Sequence, residues 1–260
     1  MKIAFMGMGN MATALARGFI SSKGIAAADI VAFDPATDML QKKSAELGFG
    51  IAATAAEAAR AADTVLVACK PHQVEALIAE LGDLLVGKAL LSIALGWDHA
   101  RYTALLPEGV RVQFVMPNTP AMVGEGVFLF EETSTLTADE LALFKSLFGA
   151  IGTVMTLPSS LMGIGGAISG CGPAFVDLLI EAFADAAVLY GIPRDKALAM
   201  VSATVKGSAK LQQETGMHPG VLKDMVCSPG GSTIRGVAAL EKKGFRAACI
   251  SAIEAIMEKK

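Results

Sequence analysis

The chain has little of what hydrolytic or metal chemistry usually needs. Its three histidines (His72, His99, His218) are scattered, and no Ser/His/Asp order or metal-ligand spacing connects them. Each reads as a surface or capping residue, and no metal is expected. The four cysteines (Cys69, Cys171, Cys227, Cys249) lie far apart without a C-x-x-C pair. That argues against a disulfide framework or a zinc site and suits reduced thiols in a cytosol. Basic clusters are absent and the net charge is -3, so nucleic acid finds little to hold. Charge is missing altogether from residues 146–176, but that stretch contains seven glycines, two prolines and four serines. Its apolar residues never run unbroken for the ~20 positions a membrane span requires. The N-terminus does not read as a signal peptide, because one Lys is followed at once by a strand and a glycine turn. A soluble, cytoplasmic protein without a membrane partner is expected.

What is present is concentrated at the start. Ile3 to Met6 is an apolar run of strand length, and Gly7, Gly9 and Ala12 then form G-x-G-x-x-A. Ala12, Leu15, Ala16, Phe19 and Ile20 recur at helical spacing, so strand, tight turn and helix follow without a gap. That is the context a dinucleotide fingerprint requires. Gly7 makes the turn, Gly9 lets the backbone approach a pyrophosphate, and Ala12 lets helix and strand pack closely. The segment Gly7, Met8, Gly9, Asn10, Met11 and Ala12 is the candidate cofactor loop, with helix N–H groups facing the phosphates. The alternative is a purely structural turn.

The rest of the first half alternates. A second strand, 29–34, ends in Asp34, which lies 25 residues past Gly9. An acid meets the adenosine ribose at about 20 residues on. Asp34 also reads as a cap for the helix 37–47, and the two roles are compatible. Further strands are expected at 64–69, 89–93 and 110–116, with helices from 71 to about 85 and from 99 to 106. A capping box at Thr137-x-x-Glu140 opens a helix to Phe148, and 152–156 closes the sheet. This is a doubly wound α/β pattern, whose ligands sit at the carboxyl ends of strands. Ala68, Cys69, Lys70 and Pro71 occupy one such end and Asn118 another.

After Pro158 no strand-like run is evident. Helices are expected at 173–190, 193–214, 220–225, 234–243 and 245–257, with Ala, Val, Leu and Met around much of their circumference. About 100 residues cannot bury that surface alone, so helix-to-helix dimerisation is expected. The division is therefore 1–157 and 158–260. Cys227-Ser-Pro-Gly-Gly-Ser-Thr233 forces a turn before a helix. Backbone N–H groups there suit a carboxylate, although from these residues alone an ordinary N-cap after a tight turn is the preferred reading. Ser169-Gly-Cys-Gly-Pro173 carries the same two readings. Asp177, Glu181 and Asp185 share one helix face; such a stripe could hold Mg²⁺ for a metal-assisted reductase, but the solvated face is the preferred reading.

Several motifs then occur in one order. They are Gly7-x-Gly9-Asn10-Met-Ala12, Cys69-Lys-Pro71, Met116-Pro-Asn-Thr-Pro120, Ser169-Gly-Cys-Gly-Pro-Ala-Phe175 and His218-Pro-Gly-Val-Leu-Lys-Asp-Met-Val-Cys-Ser-Pro-Gly-Gly-Ser-Thr233. Over essentially the whole chain the sequence resembles pyrroline-5-carboxylate reductase, and the Ser-Pro-Gly-Gly-x-Thr segment is the most specific part. The resemblance implies an N-terminal Rossmann-type domain, an all-helical dimerisation and substrate-binding domain, and NADPH or NADH as hydride donor. It implies a cyclic imine carboxylate as substrate, held by Asn118, Gly230, Gly231, Ser232 and Thr233, with Thr233 catalytic. It further implies a homodimer, or a multiple of dimers, in which loop 228–233 of one subunit faces the nicotinamide of the other. Cys171 and Phe175 stand where Ser and Tyr are commoner, and Asp34 where a small polar residue is frequent.

That third departure bears on the cofactor. A carboxylate beside the ribose accepts hydrogen bonds from NADH but faces the 2′-phosphate of NADPH as a like charge. Asp34 is expected to be exposed and able to turn away. The first basic residues after it, Lys42 and Lys43, lie beyond the first helical turn, so no phosphate clamp is expected and NADH should be used competently. Two other classes fit parts of the pattern. A β-hydroxyacid dehydrogenase needs a Lys on the first long helix after a glycine loop, and residues 175–190 contain none. A non-catalytic nucleotide-binding sensor has no use for the second loop.

Overall fold

The structure, a computed structural model, describes residues 1–258. Contacts divide it into two compact units, Met1–Gly170 and the residues from Cys171 on. Secondary structure changes character at about 158, as the sequence predicts. Packing changes later, because the helix that follows Pro158 lies against the sheet.

In the first unit β1 (Ile3–Met6), α1 (Asn10–Ser21), β2 (Ile30–Phe33), α2 (Thr37–Leu47), β3 (Gly50–Ile51), α3 (Ala55–Arg60), β4 (Thr64–Val67), α4 (Val74–Leu81), β5 (Ala89–Ser92), α5 (His99–Thr103) and β6 (Arg111–Met116) follow in turn. Their sheet order is 3-2-1-4-5-6, all parallel. Successive side chains on a strand point to opposite faces, and here helices cover both. Ile3 and Phe5 therefore enter one core, with Leu15 and Phe19 of α1. Ala4 and Met6 enter the other, with Ala55, Ala58 and Trp97. That is why the strands read as continuous apolar runs rather than as alternations.

The sheet closes on the expected last strand, but an unexpected one precedes it. A strand absent from the sequence reading, β7 (Gly126–Glu131), runs antiparallel to β6. Beyond α6 (Ala138–Gly149), β8 (Gly152–Leu157) runs parallel to β7 at the edge. Phe148 on α6 anchors this extension. It is fully buried and meets the edges or faces of Phe19, Phe128 and Phe130 at 5.1, 5.0 and 5.5 Å between ring centroids. The predicted capping box forms. Thr137 accepts from the Glu140 N–H at 3.2 Å, and the Glu140 carboxylate accepts from the Thr137 N–H at 2.9 Å.

A second unpredicted element is α7 (Met162–Ser169). Gly165 and Gly166 let it approach the sheet. A Cβ on Gly165 would lie 2.7 Å from the side chains of Leu129 and Leu157, and one on Gly166 would strike Met116. Glycine normally weakens a helix, and here close packing outweighs that cost. Asn118 ties the region together. It is 5% exposed, donates from Nδ2 to the Ser169 carbonyl at 3.0 Å and accepts the Val127 N–H at 2.8 Å. The side chain that was expected to reach substrate thus joins the loop after β6 to β7 and α7.

The second unit consists of α8 (Gly172–Leu189), α9 (Arg194–Thr215), α10 (Pro219–Met225), α11 (Ser232–Lys242) and α12 (Phe245–Met257). Asp185, of the acidic stripe, pairs with Arg194. Among the described residues of this unit, only Ala184 and Ala197 are fully buried apolar side chains. Leu178, Leu189, Met225 and Ile250 are 64, 79, 68 and 60% exposed.

Two predictions follow from this packing. Asn118→Ala removes two hydrogen bonds and strands a buried N–H and carbonyl, so denaturant unfolding should register a loss of about 2–4 kcal/mol; a loss below about 1 kcal/mol would remove the tie from the account. The second concerns Arg111 on β6 and Glu140 on α6, which form a two-pronged pair at 2.7 and 2.8 Å. The Arg111 guanidinium holds the Glu140 carboxyl below its ordinary value, helped by the Thr137 N–H. A carboxyl with a lowered folded-state pKa stabilises above its unfolded value near 4.3 and loses that contribution as pH falls below it. Arg111→Met should cost about 1 kcal/mol at pH 7 and flatten that acid limb in thermal unfolding measured from pH 7 to 3.

Candidate functional site

The two glycines of the fingerprint have different reasons to be there. Gly7 sits at φ +97°, and a Cβ on it would lie 2.8 Å from the Cys69 nitrogen and 2.9 Å from the Ala68 carbonyl carbon. Its N–H donates to the Phe33 carbonyl at 2.8 Å. The fold itself requires glycine, because β1 leaves the sheet directly against the exit of β4. Gly9 has φ -66°, open to any residue, and a Cβ on it would meet no protein atom within 4 Å. Nothing in the protein demands glycine at this position; an approaching ligand would.

Gly9 is also the N-cap of α1, and no side chain caps that helix. The first bond of the helix runs from the Thr13 N–H to the Gly9 carbonyl, which leaves the N–H groups of Asn10, Met11 and Ala12 open. Ala12 is 1% exposed and lies in the core beneath. The arrangement is a cradle for an anion, and a side chain at position 9 would intrude on it. A dinucleotide pyrophosphate fits these groups.

Asp34 is not the free carboxylate expected. It is half-buried; Oδ2 accepts the Met8 N–H at 2.7 Å and Oδ1 the Ala36 N–H at 2.9 Å. It makes a local turn ahead of α2, whose N-cap is Ala36 with no side-chain cap. Lys43 corrects a second expectation. Although two turns into α2, its ammonium returns to the fingerprint and donates to the Met8 carbonyl. Beside Asp34, a cleft of about 410 Å³ opens among Phe33, Pro35, Thr37, Leu40 and Ala52.

The exit of β4 completes this end of the sheet. The strand stops at Val67, two residues earlier than the apolar run implies. Ala68 still donates to the Met6 carbonyl at 2.9 Å, Lys70 donates its N–H to Gln73, and Pro71 starts a short 3-10 turn containing His72. Burial pushes the Cys69 thiol up, and the Asp34 carboxylate adds to this, so the thiol stays protonated at neutral pH. Trp97 was missed by the sequence reading. It is 1% exposed, donates from its indole to the Pro71 carbonyl at 2.9 Å and carries the Arg101 guanidinium 3.9 Å over its ring. Its signal was the sole tryptophan, one residue past a glycine in the loop after β5. Positions 7–12, 34 and 68–71 are thus gathered at one end of the sheet, while Asn118 is committed to backbone.

In the second unit, Ser228-Pro-Gly-Gly231 is a turn closed by the Gly231 N–H on the Ser228 carbonyl at 3.0 Å, with Gly230 at φ +70°. Proline second and a positive-φ glycine third define a type II turn. Helix α11 then begins at Ser232, two residues earlier than expected, with Gly231 as an N-cap that lacks a side-chain cap. Ser232 and Thr233 are exposed on its first turn. The ordinary capping reading does not apply here, and the open N–H groups suit a carboxylate. Ser169 uses its hydroxyl on the Gly165 carbonyl, and His218 caps α10 through the Gly220 N–H. Among the described residues no three His, Cys, Asp or Glu side chains converge as metal ligands, and no helix is long and apolar enough to cross a membrane.

Comparison with known proteins places this geometry in a family. A family model for pyrroline-5-carboxylate reductase dimerisation matches residues 159–260, and one for NADP oxidoreductase, coenzyme F420-dependent, matches residues 2–96. The pyrroline-5-carboxylate reductase of Treponema pallidum is 37% identical, over 99% of both chains. That of Methanosarcina acetivorans is 40% identical, over 97% of this chain and 94% of its own. The crystal structure of the Plasmodium falciparum pyrroline carboxylate reductase with NADP bound superposes with a TM-score of 0.88 at 31% identity, covering 98% of this chain and 95% of that one. Identity above 30% along nearly the whole length of both chains settles the point: this chain belongs to the pyrroline-5-carboxylate reductase family.

Proposed function

We propose that the chain is an oxidoreductase that reduces the cyclic imine 1-pyrroline-5-carboxylate to proline at the expense of NADPH or NADH, the last step of proline biosynthesis. The single observation that carries the reading is a pair of helices, α1 and α11, that both start on an uncapped glycine in extended conformation, unlike α12, whose Gly244 is left-handed. One offers its N–H groups where a dinucleotide pyrophosphate is expected, the other where a small carboxylate is. In this reading residues 1–157 bind the dinucleotide and 158–260 serve dimerisation and substrate. Four unpaired cysteines favour a reducing compartment, and we place the protein in the cytoplasm.

The bound nicotinamide supplies hydride to the imine carbon. The protein's task is to hold, orient and shield. Gly7 to Ala12, Asp34 and residues 68–71 position the dinucleotide. The N–H groups of Ser232 and Thr233 hold the substrate carboxylate, that of Gly231 being closed on the Ser228 carbonyl, and the Thr233 hydroxyl orients the ring nitrogen. No strong acid is needed when the imine arrives protonated, because hydride then discharges a cation. Positioning supplies most of the acceleration. Oxidation of NADPH or NADH on adding the cyclic imine tests the reading directly, and absence of turnover with either would overturn it.

Thr233→Ala should lower turnover by roughly ten- to a thousand-fold, the range of a lost transition-state hydrogen bond, and leave dinucleotide affinity nearly unchanged. Full activity in the folded variant would sink the role assigned to Thr233. The exposed apolar helices of the second unit further support an obligate dimer, in which loop 228–233 serves the neighbour's cofactor. Sedimentation at assay concentration should find no monomer; a stable, fully active monomer contradicts this.

A further inference from the structure

We infer that Lys43 is a specificity-determining residue for the dinucleotide, supplying the cation that a 2′-phosphate on the adenosine ribose needs beside Asp34. The inference rests on the dinucleotide reading above and goes beyond it to the choice of cofactor. An isolated carboxylate at the end of β2 opposes a phosphate as a like charge. Here the carboxylate is not isolated. The Met8 backbone is bonded at its N–H by Asp34 and at its carbonyl by Lys43, so opposite charges are fixed at the two polar groups of one residue.

The placement has a cause in α2. Lys43 and Glu46 are spaced i, i+3 and share one face of the helix. Glu46 pairs with Arg17 of α1 at 2.7 Å, and Lys43 on the same face reaches the Met8 carbonyl just ahead of α1. Among the described residues Lys43 forms no ion pair, and an ammonium has three donors, of which Met8 takes one. Lys43 thus offsets the repulsion from Asp34 and leaves donors for phosphate oxygens. Without it, Asp34 alone would face the 2′ position and the protein would favour the unphosphorylated dinucleotide.

Equilibrium binding of NADPH and NADH, followed by nicotinamide fluorescence without substrate, tests this. Lys43→Met should weaken NADPH binding about ten- to a hundred-fold, as loss of a charge-assisted bond predicts, and change NADH binding by less than about threefold. Lys43→Gln, which retains a donor for the Met8 carbonyl without the charge, should behave like Lys43→Met, and Lys43→Arg should keep most of the NADPH affinity. Equal losses for both nucleotides would reduce Lys43 to a structural tie, and an unchanged ratio would also overturn the inference. If the unaltered protein bound neither nucleotide, the dinucleotide reading itself would fall.

Discussion

Every α-helix begins with backbone N–H groups that have no partner in the helix, and the rest of this structure depends on where those groups are left open. Some helices of this chain are closed at the start by a side chain and others are not. Thr54 closes α3, Asp98 closes α5 and Thr137 closes α6, each through its side-chain oxygen. At α1 and α11 the N-cap is a glycine and nothing closes the helix. With glycine at the N-cap, leaving those donors to water or ligand forgoes only about a few tenths of a kcal/mol of helix stability at each start. The dipole and the N–H groups are then available to an anion.

The sheet exists, in functional terms, to aim the first of these starts. Gly7 lets β1 exit against β4, so the fingerprint turn, the end of β2 and the exit of β4 converge within a few ångströms. Two cores hold the strands from either face, and Phe148 binds the antiparallel extension to the nucleotide-binding half through three aromatic contacts. Polar side chains set the fine geometry. Asp34 holds the Met8 N–H, Trp97 holds the Pro71 carbonyl, and Asn118 holds β7 and α7. None of the three acts on its own element, and each is buried or half-buried, where an unmade hydrogen bond is expensive.

The second unit follows a different logic. Its helices keep large apolar side chains at 40–80% exposure, a surface on which a soluble chain would be expected to seat another copy. The family model that covers it is one for dimerisation, and self-association accounts for apolar faces that the unit's own residues do not cover.

Much of this was legible in the sequence, and the parts that were not share a cause. Period and local chemistry suffice where a segment's neighbours in sequence determine its state. The fingerprint turn, the apolar runs of the strands, the Thr137 capping box and the glycine turn before Ser232 are of that kind, since each depends on residues within four or five positions. β7 carried a signal in the apolar run 127–130, but its direction is set by pairing with β6, which sequence spacing does not encode. α7 looked like a loop because three glycines fall in eight residues; only its contact with Met116, Leu129 and Leu157 makes them favourable. Asp34, Lys43 and Asn118 were visible as chemistry and not as partners. Their hydrogen bonds span 26, 35 and 51 residues, and such distances are closed by the fold alone. The sequence determined which groups are present; tertiary packing decided which remain free, because a buried polar group must bond to whatever the chain brings within reach.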